Sequence, residues 1–159
     1  MHETGKGKPA LALQTEFERA TANILESRFG LRNVQCLGQR NSKKDVPDGR
    51  IEMAGRTVIW DNKATESQFK WSKKTERAIK DYIEAEKTCC RLCLIIAPRF
   101  ADSVLGKVKE FSNKLGPDVD IALVTAEAFK RTAMNWEYSD PDESAERFLA
   151  EFCNTELFE

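Results

Sequence analysis

"VPDGRIEMAGRTVIWDNKAT", residues 46–65, sets the reading of the whole chain. Two β-prone runs, 50–53 and 57–60, flank an Ala-Gly-Arg turn, a pattern that predicts a hairpin. The second run ends in Trp-Asp-Asn-Lys, with charge placed directly after apolar residues. Residues two apart on a strand point to the same side, so Asp61 and Lys63 project together. Asp48 stands at the start of the first strand, between the turn-former Pro47 and the permissive Gly49. A short hairpin carries the chain back to that region and sets Asp48 beside Asp61.

Two adjacent carboxylates repel one another unless a cation lies between them. Oxygen donors of this kind suit Mg²⁺, which keeps several waters and takes one or two carboxylates together with a phosphate. The backbone carbonyl of Asn62 offers one more oxygen. Beside such an ion, Lys63 is placed to hold or help deprotonate an attacking water and to offset charge on phosphoryl oxygens. The apolar strand holds the polar end rigid. Asp-x-Lys alone has a plain alternative, a surface ion pair, and the Pro-Asp-Gly thirteen positions earlier tells against it.

Around the hairpin the periodicity alternates between helix and strand. Leu13, Phe17, Ala20, Ile24 and Leu25 are spaced for a helix over 10–29, with Gly30 as its stop. A strand at 33–37, a helix at 71–87, an apolar strand at 90–97 and a helix at 102–115 follow. A second apolar strand at 120–125 and helices at 126–134 and 143–152 complete the order. One helix, a strand meander, then α-β-α-β-α-α predicts a single α/β domain, a mixed central sheet flanked by helices on both faces. Residues 1–9 read as a flexible N-terminus, and no repeat or linker divides residues 1–159.

The length of 159 residues fits one such domain. No apolar run reaches the roughly 20 residues of a membrane span. With no apolar leader and five irregularly spaced cysteines, the expected setting is a reducing cytoplasm. The net charge of -1 argues against a nonspecific nucleic-acid binder, but the charge is unevenly spread. Residues 36–80 hold eleven Lys and Arg against six Asp and Glu, whereas 137–159 hold eight acids and one arginine. The basic segment contains the hairpin, so an anionic partner is expected there.

The order Pro-Asp … Asp-x-Lys has the form of the PD…(D/E)xK nuclease signature. Beyond it, the sequence resembles the cleavage domain of FokI-type type IIS restriction endonucleases over nearly its whole length. The first helix is similar around Glu18, and "FGLRNVQCLGQR" (29–40) leads towards "PDG". "VIWDNKA" (58–64) resembles the catalytic strand of that family, where Asp-x-Lys-Ala follows an apolar run. "AIKDYIEAEKT" (78–88), "LIIAPRFADSVLGKVKEF" (94–111), "ALVTAEAF" (122–129) and "DPDESAERFL" (140–149) resemble the elements that follow. Departures are a longer loop before "PDG" and the lack of a long insertion near Thr88.

The resemblance implies a restriction-endonuclease-like fold and a Mg²⁺-dependent endonuclease, with Mn²⁺ able to substitute, that cuts double-stranded DNA with little sequence preference. It implies Asp48, Asp61 and Lys63 as catalysts, with Asp48, Asp61 and the Asn62 carbonyl on the metal. Glu18 matches a helix glutamate of the family within reach of the metal or its water; its plain reading is an exposed helix charge. Cutting as a weak homodimer is implied, with a separate domain or chain for recognition and this chain as a fragment of a larger enzyme. The family pairs an Asp and an Arg across its dimer axis; Arg77 and Asp81 stand at the matching places with signs reversed, unless they form an intrahelical pair. Arg40, Lys43, Lys44, Lys70, Lys73 and Lys74 become phosphate contacts, which position DNA without reading bases.

Rival sites are poorer. Cys90 and Cys93 form a Cys-x-x-Cys without further ligands nearby and read as strand residues. His2 leaves no triad, and "GKGK" lacks the setting of a phosphate loop. Trp60, Trp71 and Trp136 read as core or interface, with Trp71 a possible DNA contact beside three lysines. Two functional alternatives stand: a catalytically idle PD-(D/E)xK-like DNA-binding or dimerisation module, and a structure-selective nuclease such as a junction resolvase.

Overall fold

The computed structural model describes residues 10–37, 46–65, 67–86 and 89–159. The expectations for residues 1–9 and for Arg40, Lys43 and Lys44 lie outside the described residues. The helices are α1 (Ala10–Ser27), α2 (Lys73–Ala85), α3 (Val104–Leu115), α4 (Ala126–Met134) and α5 (Pro141–Phe152). The strands are β1 (Val34–Cys36), β2 (Gly49–Met53), β3 (Arg56–Asn62), β4 (Cys89–Ala97), β5 (Asp120–Thr125) and β6 (Leu157–Phe158).

The hairpin that opens the sheet is closed by Ala54 and Gly55, whose φ angles of 50° and 75° are both positive. That pair of left-handed residues matches a two-residue turn of the strand-compatible primed type, with Met53 and Arg56 paired across it. The strands lie in chain order, β1-β2-β3-β4-β5-β6. β1, β2 and β3 are antiparallel, and β3 to β6 run parallel. β3 is therefore the strand where the sheet changes character.

Alternation along the strands feeds two apolar layers. Val58, Trp60, Leu94, Ile96 and Val124 face α1, α4 and α5, with Leu25, Phe29, Phe129 and Phe148 packed on them. Ile59, Ile95, Ile121 and Leu123 face α2 and α3, meeting Ile79, Tyr82, Val108 and Phe111. β4 and β5 are covered on both sides, which is why they read as continuous apolar runs. Ser72, Thr125 and Asp140 cap α2, α4 and α5, accepting hydrogen bonds from the N–H groups of Thr75, Ala128 and Glu143. Each cap is worth about 1 kcal/mol. The expected mixed sheet with helices on both faces is what the chain forms.

Two details differ from expectation. β3 continues past Trp60 through Asp61 and Asn62, because Ile95 and Ile96 of β4 extend its ladder. β6 was not expected; two residues are too few for a period, and it exists by pairing with Leu123 and Val124. No helix among the described residues is long and apolar enough to cross a membrane.

Candidate active site

The register of β2 against β3 builds the site. Gly49 pairs with Trp60, which sets Asp48 opposite Asp61. Gly49 is required there because the indole of Trp60 lies where a Cβ would stand. The two aspartates brace each other through the backbone. Asp48 N–H donates to Asp61 Oδ1 at 3.2 Å, and Asn62 N–H donates to Asp48 Oδ2 at 2.6 Å. Lys63 N–H donates to the carbonyl of Ile96 at 2.8 Å, holding one more residue against β4. Its Nζ lies 3.0 Å from Asp61 Oδ2 and 5.8 Å from the centre of the Phe69 ring.

Asn62 points its side chain to the other layer. Its Oδ1 accepts from Trp60 Nε1 at 3.0 Å, and its Nδ2 donates to Thr21 Oγ1 at 2.8 Å. This buried pair fastens α1 to β3. Glu18 and Gln14 lie about one and two turns before Thr21 on α1. Gln14 Nε2 lies 3.0 Å from Glu18 Oε2, 3.3 Å from Asp48 Oδ2 and 2.8 Å from the carbonyl oxygen of Asn62. Gln14, Asp48, Asp61, Asn62 and Lys63 line an open cleft of about 420 Å³ with Thr65 and Tyr82 on its wall.

Charge in the cleft is out of balance. Burial, then the neighbouring Asp61 charge, pushes the Asp48 carboxyl up to about 8. Burial also raises the Asp61 carboxyl, against the pull of Lys63. Glu18, only 5% exposed, is raised by burial despite its bond to Gln14. Burial alone would lower Lys63, but the Asp61 charge and hydrogen bond hold it above its ordinary value. Three carboxyl groups thus face one ammonium in a partly dry place, and the surplus calls for protons or a cation.

The residues present fit a divalent ion. Glu18 Oε1 is buried without a hydrogen-bond partner among the described residues. No group of three or more His, Cys, Asp and Glu side chains among them is arranged to enclose a metal. The donor set is an open one: the Asp48 and Asp61 carboxylates and the Asn62 carbonyl, with room for water and a phosphate. That is the kind of set Mg²⁺ takes.

The structure thus brings together Asp48, Asp61, Asn62, Lys63 and Glu18. The plain reading of Glu18 as an exposed helix charge is corrected by its burial. Lys70, Lys73 and Lys74 are exposed beyond the strand, and Lys73 Nζ lies 3.6 Å from Glu76. Arg77 and Asp81 are both exposed on α2, and no ion pair joins them among the described residues. Trp71 is corrected as a DNA contact: it is buried against Phe69 and Phe111, with its Nε1 donating to Glu76. Cys90 and Cys93 are buried strand residues. Gln14 and Thr21 were missed. Their one signal is helical spacing with Glu18, which has meaning only once β3 lies beneath the helix.

Comparison with known proteins agrees with this architecture. The family model described as FokI, cleavage domain, matches residues 4–155. No curated protein matches the chain by sequence. The structure of restriction endonuclease FokI bound to DNA superposes with a TM-score of 0.69 at 14% identity, covering 92% of this chain and 28% of that one. A FokI structure gives 0.70 with the same identity and coverage. The small subunit of the heterodimeric restriction endonuclease R.BspD6I gives 0.56 at 13% identity, covering 88% of this chain and 80% of that one. The chain thus spans just over a quarter of the length of the FokI structures it matches.

Proposed function

The chain belongs to the FokI cleavage-domain family and is a nuclease domain, and from this we propose that it hydrolyses phosphodiester bonds of double-stranded DNA with Mg²⁺, using Asp48, Asp61 and Lys63. The observation that carries the reading is the cross-braced pair Asp48 and Asp61 with the Lys63 ammonium 3.0 Å from one of its oxygens. Residues 1–159 act as one cleavage domain, cutting as a weak homodimer through α2, with recognition supplied by a separate domain or chain. The small share of the FokI structures that this chain covers supports that division.

Asp48, Asp61 and the Asn62 carbonyl hold the ion in this reading, and Mn²⁺ can replace it. When bound, the ion supplies Lewis-acid polarisation of a phosphoryl oxygen and a lower pKa for nearby water. Lys63 keeps its proton because Asp61 stands against it. Its ammonium therefore acts as a donor, orienting the attacking water and offsetting charge on the phosphoryl oxygens. Phe69 and Asp61 fix where it points. Lys70, Lys73 and Lys74 contact backbone phosphates, and with them cleavage falls as salt rises.

Cleavage of supercoiled plasmid with Mg²⁺, comparing the chain with Asp61→Ala over a range of protein concentrations, tests the proposal. Cutting that requires Asp61 and rises more steeply than linearly is expected. Equal inertness of both proteins at high concentration and low salt would replace the nuclease mechanism with an idle DNA-binding module. Selective cutting of branched DNA would point to a resolvase.

A further inference from the structure

Gln14 is used by nothing in the mechanism above, yet its amide nitrogen is the most crowded atom of the cleft. Oxygens of Glu18, Asp48 and Asn62 surround it at 3.0, 3.3 and 2.8 Å. An amide nitrogen carries two hydrogens and cannot serve three acceptors fully. The Glu18 carboxylate also has its other oxygen buried without a partner among the described residues. A neutral donor thus stands where the oxygens call for a positive charge.

The far atom of the same amide is weakly held. Gln14 Oε1 accepts from Ala64 N–H at 3.4 Å, longer than an ordinary hydrogen bond. The terminal torsion of glutamine is broad and roughly two-fold, so the amide can reverse about it; the three oxygens around Nε2 then lose their donor and need a cation in its place. Reversal puts Oε1 where Nε2 now stands. Neighbouring ligands of an octahedral Mg²⁺, at about 2.1 Å from the ion, are about 3.0 Å apart. The three distances around Gln14 Nε2 bracket that spacing.

We propose that Gln14 is a ligand of the cation, its amide presenting nitrogen to the oxygens in the metal-free protein and oxygen to the ion in the loaded one. This rests on the metal-dependent reading above. The amide satisfies the Asn62 carbonyl and tempers the carboxylates, then exchanges one end for the other.

Calorimetric titration of Mg²⁺ into the metal-free chain tests it, without DNA and without turnover. The variants are Gln14→Leu, Gln14→Glu and Asp48→Asn, each first shown to be folded by circular dichroism. The wild-type chain is expected to bind one ion, Asp48→Asn to lose it, and Gln14→Leu to bind on the order of tenfold more weakly. Gln14→Glu restores an oxygen and is expected to bind at least as tightly as wild type. In the ¹⁵N spectrum the Gln14 side-chain amide signals should move on titration as their acceptors are lost. Gln14→Leu binding equal to or tighter than wild type overturns the assignment and leaves the metal site intact. So does a Gln14→Glu variant as weak as Gln14→Leu, which would mark a structural role. Wild-type binding that is absent, or unaffected by Asp48→Asn, overturns the metal-dependent reading itself, and this assignment with it.

Discussion

Asp48 carries the clearest signature of the site. Its carboxyl stands near 8 in the metal-free fold against an ordinary value of 3.8. Between those values the folded chain holds a proton that the unfolded chain has released. Metal-free stability therefore falls as pH rises from about 4 and levels off above about 8. Asp48→Asn keeps an acceptor for Asn62 N–H but carries no charge, so it should remove Asp48's share of that slope and leave those of Asp61 and Glu18. Thermal melts in chelator are expected to show the variant ahead of wild type at pH 8.5 and level with it near pH 4. The gain is about 2–4 °C for each kcal/mol of repulsion removed. Its cleavage is expected to be lost, so stability and function move in opposite directions. Lys63→Met should lower kcat by about 10²–10³-fold, the usual loss for one preorganised donor, while calorimetry finds Mg²⁺ still bound. Asp48, Asp61 and Lys63 could be singled out in the sequence because strand alternation and a short hairpin suffice to gather them. Gln14 could not, since a glutamine in a helix carries neither charge nor a periodic apolar signal.

The β2–β3 hairpin shows where local reading succeeds and where it stops. Apolar alternation marked both strands, and the Ala54–Gly55 turn lay where the composition put it. The β-prone run stops at Trp60, since Asp61 and Asn62 are poor strand formers. They are held extended by β4, a partner some thirty residues away. β6 escaped notice for the same reason, being made by a neighbour rather than by its own residues. Gly49 looked like part of a turn, but its need comes from Trp60 across the ladder. Gly49→Ala should force the indole to move and cost about 1–3 kcal/mol, read as a lower urea midpoint with an unchanged m-value. Cleavage should fall with it, because the displaced Trp60 holds the side chain of Asn62.

At the scale of the whole molecule, assembly turns on the exposed face of α2. Arg77 and Asp81 are exposed and make no pair on their own helix, which leaves both free to meet a partner. In a two-fold interface each Arg77 faces the other copy's Asp81. Arg77→Asp and Asp81→Arg should each lower plasmid cutting, since each sets like charges across the axis, and a mixture of the two variants should recover it. A mixture no more active than its components would argue against α2 as the interface. The net charge of -1 gives little hint of the proposed DNA partner; the basic run in 36–80 points to an anionic one, because binding depends on where charge lies rather than on its sum.

Strand order that follows chain order has a consequence for biosynthesis. Each strand leaving the ribosome meets an edge already formed by the strand before it. The acids and the lysine of the site lie within residues 14–63, yet Lys63 is fastened to Ile96, and β4 itself is steadied by β5. The acids are thus translated before the strands that align them. A chain that stops short of β4 is expected to leave Lys63 unfastened and the candidate site unformed.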